Sequence, residues 1–244
     1  MIMKVLAIGN SFSQDATRYL NRMAKENGID LKTVNLYIGG CALKTHYYNM
    51  LEDAKKYLME FNGFSTGFYV SIKEALMSDE WDYITIQQAS HFSYQPVTYQ
   101  PYLSELVSYI KKYCPHSKIL VHQTWAYEDG SERLTVRGYE TSAQMFADIE
   151  KAYAAAAQDI QADGLIPSGK VLQACLAGGM EKVQRDTFHA SLGAGRYALS
   201  LTWLYYLTGK NQEDVVFTQF DQPATEEEIQ IIKKAVAACV TPIA

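Results

Sequence analysis

The feature that most constrains this chain is an alternation of two periods along its length. Short apolar runs of strand length alternate with segments whose apolar residues recur every three or four positions. Met3 to Ile8 is a continuous apolar-rich run, suited to the buried centre of a parallel sheet. Ala16, Tyr19, Leu20, Met23 and Ala24 then mark one helical face, which Asn27-Gly28 ends. A second strand is expected over Leu31 to Ile38, running into Gly39-Gly40, and a helix over Tyr47 to Phe61. Residues 62 to 71 mix glycines with β-formers and read as a hairpin or an inserted loop.

The pattern then repeats. A strand at Asp82 to Ile86 precedes a helix at Tyr102 to Tyr113, and a strand at Lys118 to His122 precedes polar, loop-like residues from Glu128 to Gly138. A long alanine-rich helix follows over Ser142 to Gln158, with a short apolar piece at Leu165-Ile166 and a helix from Ser168. Helices at Ala194 to Leu207 and after Thr225 complete the chain; the second opens on the capping box Thr225-Glu226-Glu227-Glu228. Strands alternating with helices imply a central parallel sheet covered on both faces, a three-layer α/β/α sandwich. There is no internal repeat or linker, and at 244 residues the reading is one domain spanning 1–244.

Composition narrows the partners. A formal net charge of −5 argues against nucleic acid and anionic membrane, both of which reward basic patches. No apolar stretch approaches membrane-spanning length, and the N-terminal run lacks the basic and cleavage regions of a signal peptide. The expectation is a cytoplasmic protein, although a chain trimmed of a secretory leader would read the same. The four cysteines, Cys41, Cys114, Cys175 and Cys239, lie far apart and form no metal or redox motif. No His, Asp and Glu set has metal-ligand spacing, so no metal or other cofactor is expected. Composition leaves the oligomeric state open.

In such sheets ligands sit beyond the carboxyl ends of the strands. After the first strand comes Gly9-Asn10-Ser11-Phe12-Ser13, with one glycine and no phosphate-cradling loop. It places a serine at a strand-to-helix turn, where backbone N–H groups and the helix dipole face whatever that serine attacks. A plainer reading is that Ser11 or Ser13 caps the helix. Far downstream stands Asp186-Thr187-Phe188-His189. A serine hydroxyl needs an imidazole to take its proton, and the imidazole needs a carboxylate to fix its tautomer. An Asp three residues before a His can supply that carboxylate if the segment forms a tight turn.

Together, Gly-Asn-Ser-Phe-Ser after the first strand and Asp-x-x-His before a late helix resemble the SGNH/GDSL hydrolase superfamily, in a Gly-Asn-Ser-Phe subgroup of largely uncharacterised bacterial members. The resemblance implies a flavodoxin-like fold and ester hydrolysis through an acyl-serine, with Ser11 as nucleophile and His189 and Asp186 completing a triad. It also implies an oxyanion hole from the Ser11 amide, the Gly40 amide (with Gly39 as rival) and a third donor. The family's third donor is an asparagine in a Gly-x-Asn-Asp block, where this chain reads Gln87-Gln88-Ala89-Ser90. Gln88 is the expected substitute, with Gln87 and Ser90 as alternatives. Asn10 and Trp125 are expected to bind substrate, with Tyr94 and Tyr127 near the same edge. By analogy the first substrate class is O-acetylated carbohydrate; a lipase is less favoured because no long apolar lid segment is evident. Two other readings stand beside it: a catalytically impaired ligand- or carbohydrate-binding module, and a flavodoxin-like nucleotide binder. His46 and His91 follow strands and read as hydrogen-bonded structural residues.

Overall fold

A strand with apolar residues on both faces must be covered on both, and the first strand meets that demand. In the computed structural model, which describes residues 2–243, Met3–Gly9 (β1) lies in the middle of the sheet and is buried from Val5 onward. Val5 and Ala7 face one hydrophobic cluster, while Leu6 and Ile8 face the other. Ser11–Thr17 (α1) and Leu20–Glu26 (α2) follow, so the single helical face expected across Ala16 to Ala24 is broken at Arg18-Tyr19. Next come Leu31–Tyr37 (β2), Leu43–Leu51 (α3), Tyr57–Phe61 (β3), Phe64–Val70 (β4), Ile72–Met77 (α4), Tyr83–Ile86 (β5) and Tyr102–Tyr113 (α5). Lys118–His122 (β6), Glu132–Thr135 (α6), Ser142–Asp159 (α7), Gly164–Ile166 (β7), Ser168–Ala177 (α8), Ala194–Thr208 (α9) and Glu226–Cys239 (α10) complete the order.

The seven strands form one sheet in the order β4-β3-β2-β1-β5-β6-β7. The run from β2 to β7 is parallel, whereas β3 and β4 are antiparallel additions at one edge. The sheet is therefore mixed rather than wholly parallel. Phe12 and Ala16 of α1, Leu20 of α2, Leu172 of α8, Tyr197 of α9 and Ile232 of α10 pack on one face. Leu43 of α3, Ile72 of α4, Leu103 of α5 and Ile149 of α7 pack on the other. The three-layer α/β/α expectation holds. Among the described residues, no helix is long and apolar enough to cross a membrane.

The largest departure from the sequence expectation lies between α3 and β4. The helix expected over Tyr47 to Phe61 stops at Leu51, and Asp53 adopts a left-handed conformation (φ 48°). Tyr57–Phe61 is instead a strand, turning through Asn62-Gly63 into β4. Both turn residues have positive φ, 53° and 85°, the conformation that favours Asn-Gly in tight hairpins. The hairpin brings buried Glu60 beside β2, where Glu60 Oε2 accepts from Asn35 Nδ2 at 2.7 Å.

Candidate active site

The parallel register puts the carboxyl ends of β1, β2, β5 and β6 at one edge, and the residues just past those ends build a shared cavity of about 310 Å³. Past β1, Asn10 caps α1: its Oδ1 accepts from the Phe12 N–H at 2.9 Å. Ser13 closes the capping box, its Oγ accepting from the Asn10 N–H at 3.1 Å. Capping is thus done by Asn10 and Ser13, which leaves the Ser11 hydroxyl free. Gly9 allows this close turn, because a Cβ there would lie 2.9 Å from Ser13 Cβ and 3.1 Å from Gln87 Cδ. Gly9→Ala is expected to lower stability by about 1–3 kcal/mol, the usual cost of overpacking, which urea unfolding with an unchanged m-value would register.

Past α8, the segment from Gln184 to Ala190 doubles back on itself, with the Arg185 N–H donating to the His189 carbonyl at 2.9 Å. Thr187 takes a left-handed φ of 73° at the turn. Asp186 then reaches His189 twice: Oδ1 accepts the His189 backbone N–H at 2.9 Å, and Oδ2 lies 2.7 Å from the ring Nδ1. The other ring nitrogen, Nε2, lies 2.8 Å from Ser11 Oγ. Ser11, His189 and Asp186, expected together from sequence, are in continuous hydrogen-bond contact. Burial acts to raise the Asp186 carboxyl, but the hydrogen bonds from the His189 ring and backbone outweigh it. Its pKa therefore falls below the ordinary carboxylate value.

The loop is pinned from several sides. The Glu128 N–H donates to the Thr187 carbonyl at 2.8 Å, and Trp125 Nε1 donates to the Phe188 carbonyl at 2.7 Å. Phe188 lies against the His189 ring at 3.8 Å between centroids. Arg185 pairs with the fully buried carboxylate of Asp15 on α1 at 2.9 Å, and Arg196 of α9 reaches the same carboxylate at 2.8 Å.

The residues from 4 to 238 match a family model described as a domain of unknown function, DUF4886. The chain belongs to this family. A DUF4886 protein from Bacteroides uniformis is 32% identical and superposes with a TM-score of 0.91, over 98% of this chain and 94% of that one. A protein from Slackia heliotrinireducens assigned to the SGNH hydrolases is 21% identical, with a TM-score of 0.60 over 84% of this chain and 98% of that one. An acetyl-xylooligosaccharide esterase from Geobacillus, solved as a mutant, is 16% identical, with a TM-score of 0.53 over 83% and 92% of the respective chains. No curated protein matches by sequence. At these identities the last two likenesses establish the fold: this DUF4886 member has the SGNH hydrolase architecture.

The remaining expected residues divide. Gly40 and Gly39 both line the cavity, and Gly40 has a φ of 63°, a left-handed conformation suited to a tight turn that exposes its amide. Among the described residues, neither the Ser11 nor the Gly40 N–H donates to a protein acceptor. Asn10 lines the cavity too, but its carboxamide is engaged: besides capping α1, Oδ1 accepts from Gln87 Nε2 at 2.9 Å, and Nδ2 donates to the Cys41 carbonyl at 3.0 Å. It fixes the serine turn to the glycine loop.

Gln88 is not an oxyanion donor. Its Oε1 accepts from the Leu43 and Ala89 N–H groups at 3.0 and 2.9 Å, and its Nε2 donates to Thr98 at 3.0 Å. The side chain points to the start of α3, away from the cavity. Ser90 lines the cavity instead, its Oγ 3.1 Å from the Tyr127 hydroxyl.

Trp125 does not form a substrate wall. It is buried, stacked on Phe12 at 4.0 Å and 11°, and holds the His189 loop from behind. Tyr127 does line the cavity, whereas Tyr94 packs edge-on against Tyr139 at 5.5 Å. His46 is buried, its Nδ1 2.9 Å from the Tyr57 hydroxyl, and burial pushes its pKa down to about 3, as suits a structural histidine. His91 lines the cavity rim, and burial followed by the charge of Arg137 lowers its pKa. Among the described residues, no group of three His, Cys, Asp or Glu could hold a metal.

Two further cavity residues, Arg133 and Arg137, do not stand out in the sequence. They lie on and just after α6, in a stretch read as loop. The available signal was their four-residue spacing behind Ser131, which caps α6 by accepting from the Leu134 N–H at 3.3 Å.

Proposed function

We propose that this chain is a serine hydrolase that cleaves a carboxylic ester through an acyl-serine intermediate. The observation that carries the reading is the 2.8 Å contact between His189 Nε2 and Ser11 Oγ, with Asp186 2.7 Å from the opposite ring nitrogen. In this mechanism His189 takes the Ser11 proton as Oγ attacks the carbonyl carbon. The tetrahedral oxyanion is held by the Ser11 and Gly40 N–H groups, with the Ser90 hydroxyl as the side-chain donor on the β5 side. Collapse expels the alcohol, which leaves with the proton from His189. Water then attacks the acyl-serine with the same imidazole as base, releasing the acid and restoring Ser11. Asp186 stays ionised throughout and stabilises the imidazolium.

A small O-acyl group, such as acetyl on a carbohydrate, suits a cavity of about 310 Å³. The fold likeness to an acetyl-xylooligosaccharide esterase supports trying that class first.

The direct test pairs turnover with labelling. With p-nitrophenyl acetate, nitrophenolate is expected to be released well above the buffer rate. A fluorophosphonate, whose fluoride Ser11 Oγ displaces, is expected to stop turnover while adding one phosphonyl mass to the Ser11 peptide. Turnover absent and Ser11 unlabelled would leave the binding-module reading in its place. A label on a different serine that tracks inactivation would move the nucleophile.

A further inference from the structure

The chain has six arginines, and four have carboxylate partners. Arg18 and Arg22 reach Asp221 at 2.7 and 3.8 Å, while Arg185 and Arg196 reach Asp15 at 2.9 and 2.8 Å. Among the described residues, Arg133 and Arg137 alone of the arginines have no carboxylate within ion-pair distance, and both line the cavity that holds Ser11 and His189. Of the nearby acids, Glu128 pairs with Lys182 at 3.1 Å and Asp129 accepts from the Ser142 N–H. Glu132 lies beside both arginines, and among the described residues it forms no ion pair with either. In a chain of net charge −5, the two unpaired guanidiniums stand at one spot.

Each guanidinium lies over an aromatic ring. The Arg133 guanidinium sits 4.1 Å over the Phe188 ring, whose centroid is 3.8 Å from that of His189. The Arg137 guanidinium sits 5.0 Å over the Tyr127 ring and donates to the Arg133 carbonyl at 2.8 Å. Stacking on a ring face holds the guanidinium plane and leaves its N–H edge free, the geometry that grips a carboxylate or phosphate. Two like charges four residues apart repel, and an anion between them removes that repulsion.

We propose that the ester processed at this site carries a fixed anionic group, a carboxylate or a comparable oxyanion, gripped by Arg133 and Arg137 while Ser11 attacks. This rests on the hydrolase reading given above. The anion belongs to the acyl part or to the alcohol part of the ester, and matched substrates separate the two. p-Nitrophenyl glutarate (monoester) against p-nitrophenyl pentanoate tests the acyl side. 4-Acetoxybenzoate against phenyl acetate tests the alcohol side.

The variant is R133Q/R137Q, compared with wild type on all four esters. Within one pair, kcat/KM for the anionic ester is expected to fall roughly 10- to 100-fold, the scale of lost charge-assisted hydrogen bonds. The neutral partner is expected to change less than about threefold, and it doubles as the folding control because glutamine keeps a polar stem over the Phe188 and Tyr127 rings and removes only the charge. Added salt is expected to shrink the wild-type preference. A second arm measures binding to Ser11→Ala protein by calorimetry, with monomethyl succinate against dimethyl succinate. An Arg-dependent preference for the monoester supports the anion site even if wild type turns over no ester, in which case the hydrolase reading alone falls. Ser11-dependent turnover with neither a kinetic nor a binding preference for the anion overturns the proposal and leaves the hydrolase reading standing. Parallel losses on charged and neutral esters also overturn it, because they report a general disturbance of the cavity.

Discussion

Ser11→Ala is expected to lower kcat for p-nitrophenyl acetate by about 10⁵–10⁶-fold, the scale at which a triad nucleophile fails alone. Asp186→Asn is expected to lower it by roughly 10⁴-fold, well beyond what its modest loss of stability can explain, because the substitution acts through the imidazole tautomer. The reason lies in the two contacts Asp186 makes with one residue, to the His189 backbone N–H at 2.9 Å and to the ring Nδ1 at 2.7 Å. An asparagine can keep its single carbonyl oxygen on the backbone N–H, which can only donate. Its amide then donates toward Nδ1 and forces the ring proton onto Nε2, the nitrogen facing Ser11 Oγ at 2.8 Å. A ring protonated there cannot accept the serine proton. The opposite amide orientation sets two donors against each other at the backbone. Steady-state kinetics on both variants, with circular dichroism melts beside them, checks the pair. Near-wild-type turnover by Asp186→Asn would remove the carboxylate from the mechanism while leaving Ser11 to be judged separately.

The wild-type Asp186 also carries a pH signature in stability. Its folded pKa is depressed, so its stabilising contribution is present above the ordinary carboxylate value and is lost as pH falls through the depressed one.

How much of this was legible in the sequence follows from the distance over which each feature is decided. The place of Ser11 is legible because its setting is local: an apolar strand, one glycine and a helix start put it at the sheet edge. Asp186 and His189 were readable for the same reason, since a three-residue separation lets one tight turn join them. Gln88 and Trp125 were misread because each lies beyond a strand end, where alternation no longer dictates direction. Gln87 turns toward Asn10 and Gln88 toward α3, a division set by partners 77 and 45 residues away. Trp125 lies under Phe12 rather than in the cavity, a choice made by packing between layers.

The β3–β4 hairpin was half legible. The glycines and β-formers of residues 62 to 71 anticipate β4, but β3 falls inside the helix expected over Tyr47 to Phe61. Nor could the sequence show which arginines lack partners. Arg18 finds its carboxylate 203 residues away.

The buried polar network behind the site turns the same long-range logic into rigidity. Ser168 Oγ lies 3.0 Å from His122 Nε2, His122 Nδ1 lies 2.7 Å from Gln87 Oε1, and Gln87 Nε2 donates to Asn10 Oδ1 at 2.9 Å. Burial pushes the His122 pKa down to about 3, so the ring is neutral: it donates from Nδ1 to the acceptor-only oxygen of Gln87 and accepts the serine proton at Nε2. Each donor meets an acceptor from α8 through β6 and the β5 loop to the residue before Ser11.

Asp15→Ala is expected to be the most destabilising single change around the site, costing about 3–5 kcal/mol, as when one partner leaves a buried ion cluster. The Asp15 side chain is fully buried and receives Arg185 at 2.9 Å and Arg196 at 2.8 Å, side chains that are 28% and 12% exposed. Its removal strands two guanidiniums in a partly dehydrated space. Arg196 keeps a second carboxylate, Asp221, at 2.6 Å, and Arg185 keeps the Ala190 carbonyl, which points to the lower half of that range. For a chain of this size the thermal midpoint should drop by roughly 6–16 °C, and salt should restore little of it because a buried pair is weakly screened. Activity should suffer beyond stability, since Arg185 precedes Asp186 and ties the histidine loop to the helix that begins at Ser11. A displacement of about 1 Å between nucleophile and base can cost on the order of 10²-fold in rate. Kinetics taken well below the lowered midpoint separate the two effects. A variant that melts early but turns over substrate at the wild-type rate would make Asp15 a stabilising residue only, with the Ser11–His189 distance fixed instead by the Trp125 and Glu128 contacts to the loop.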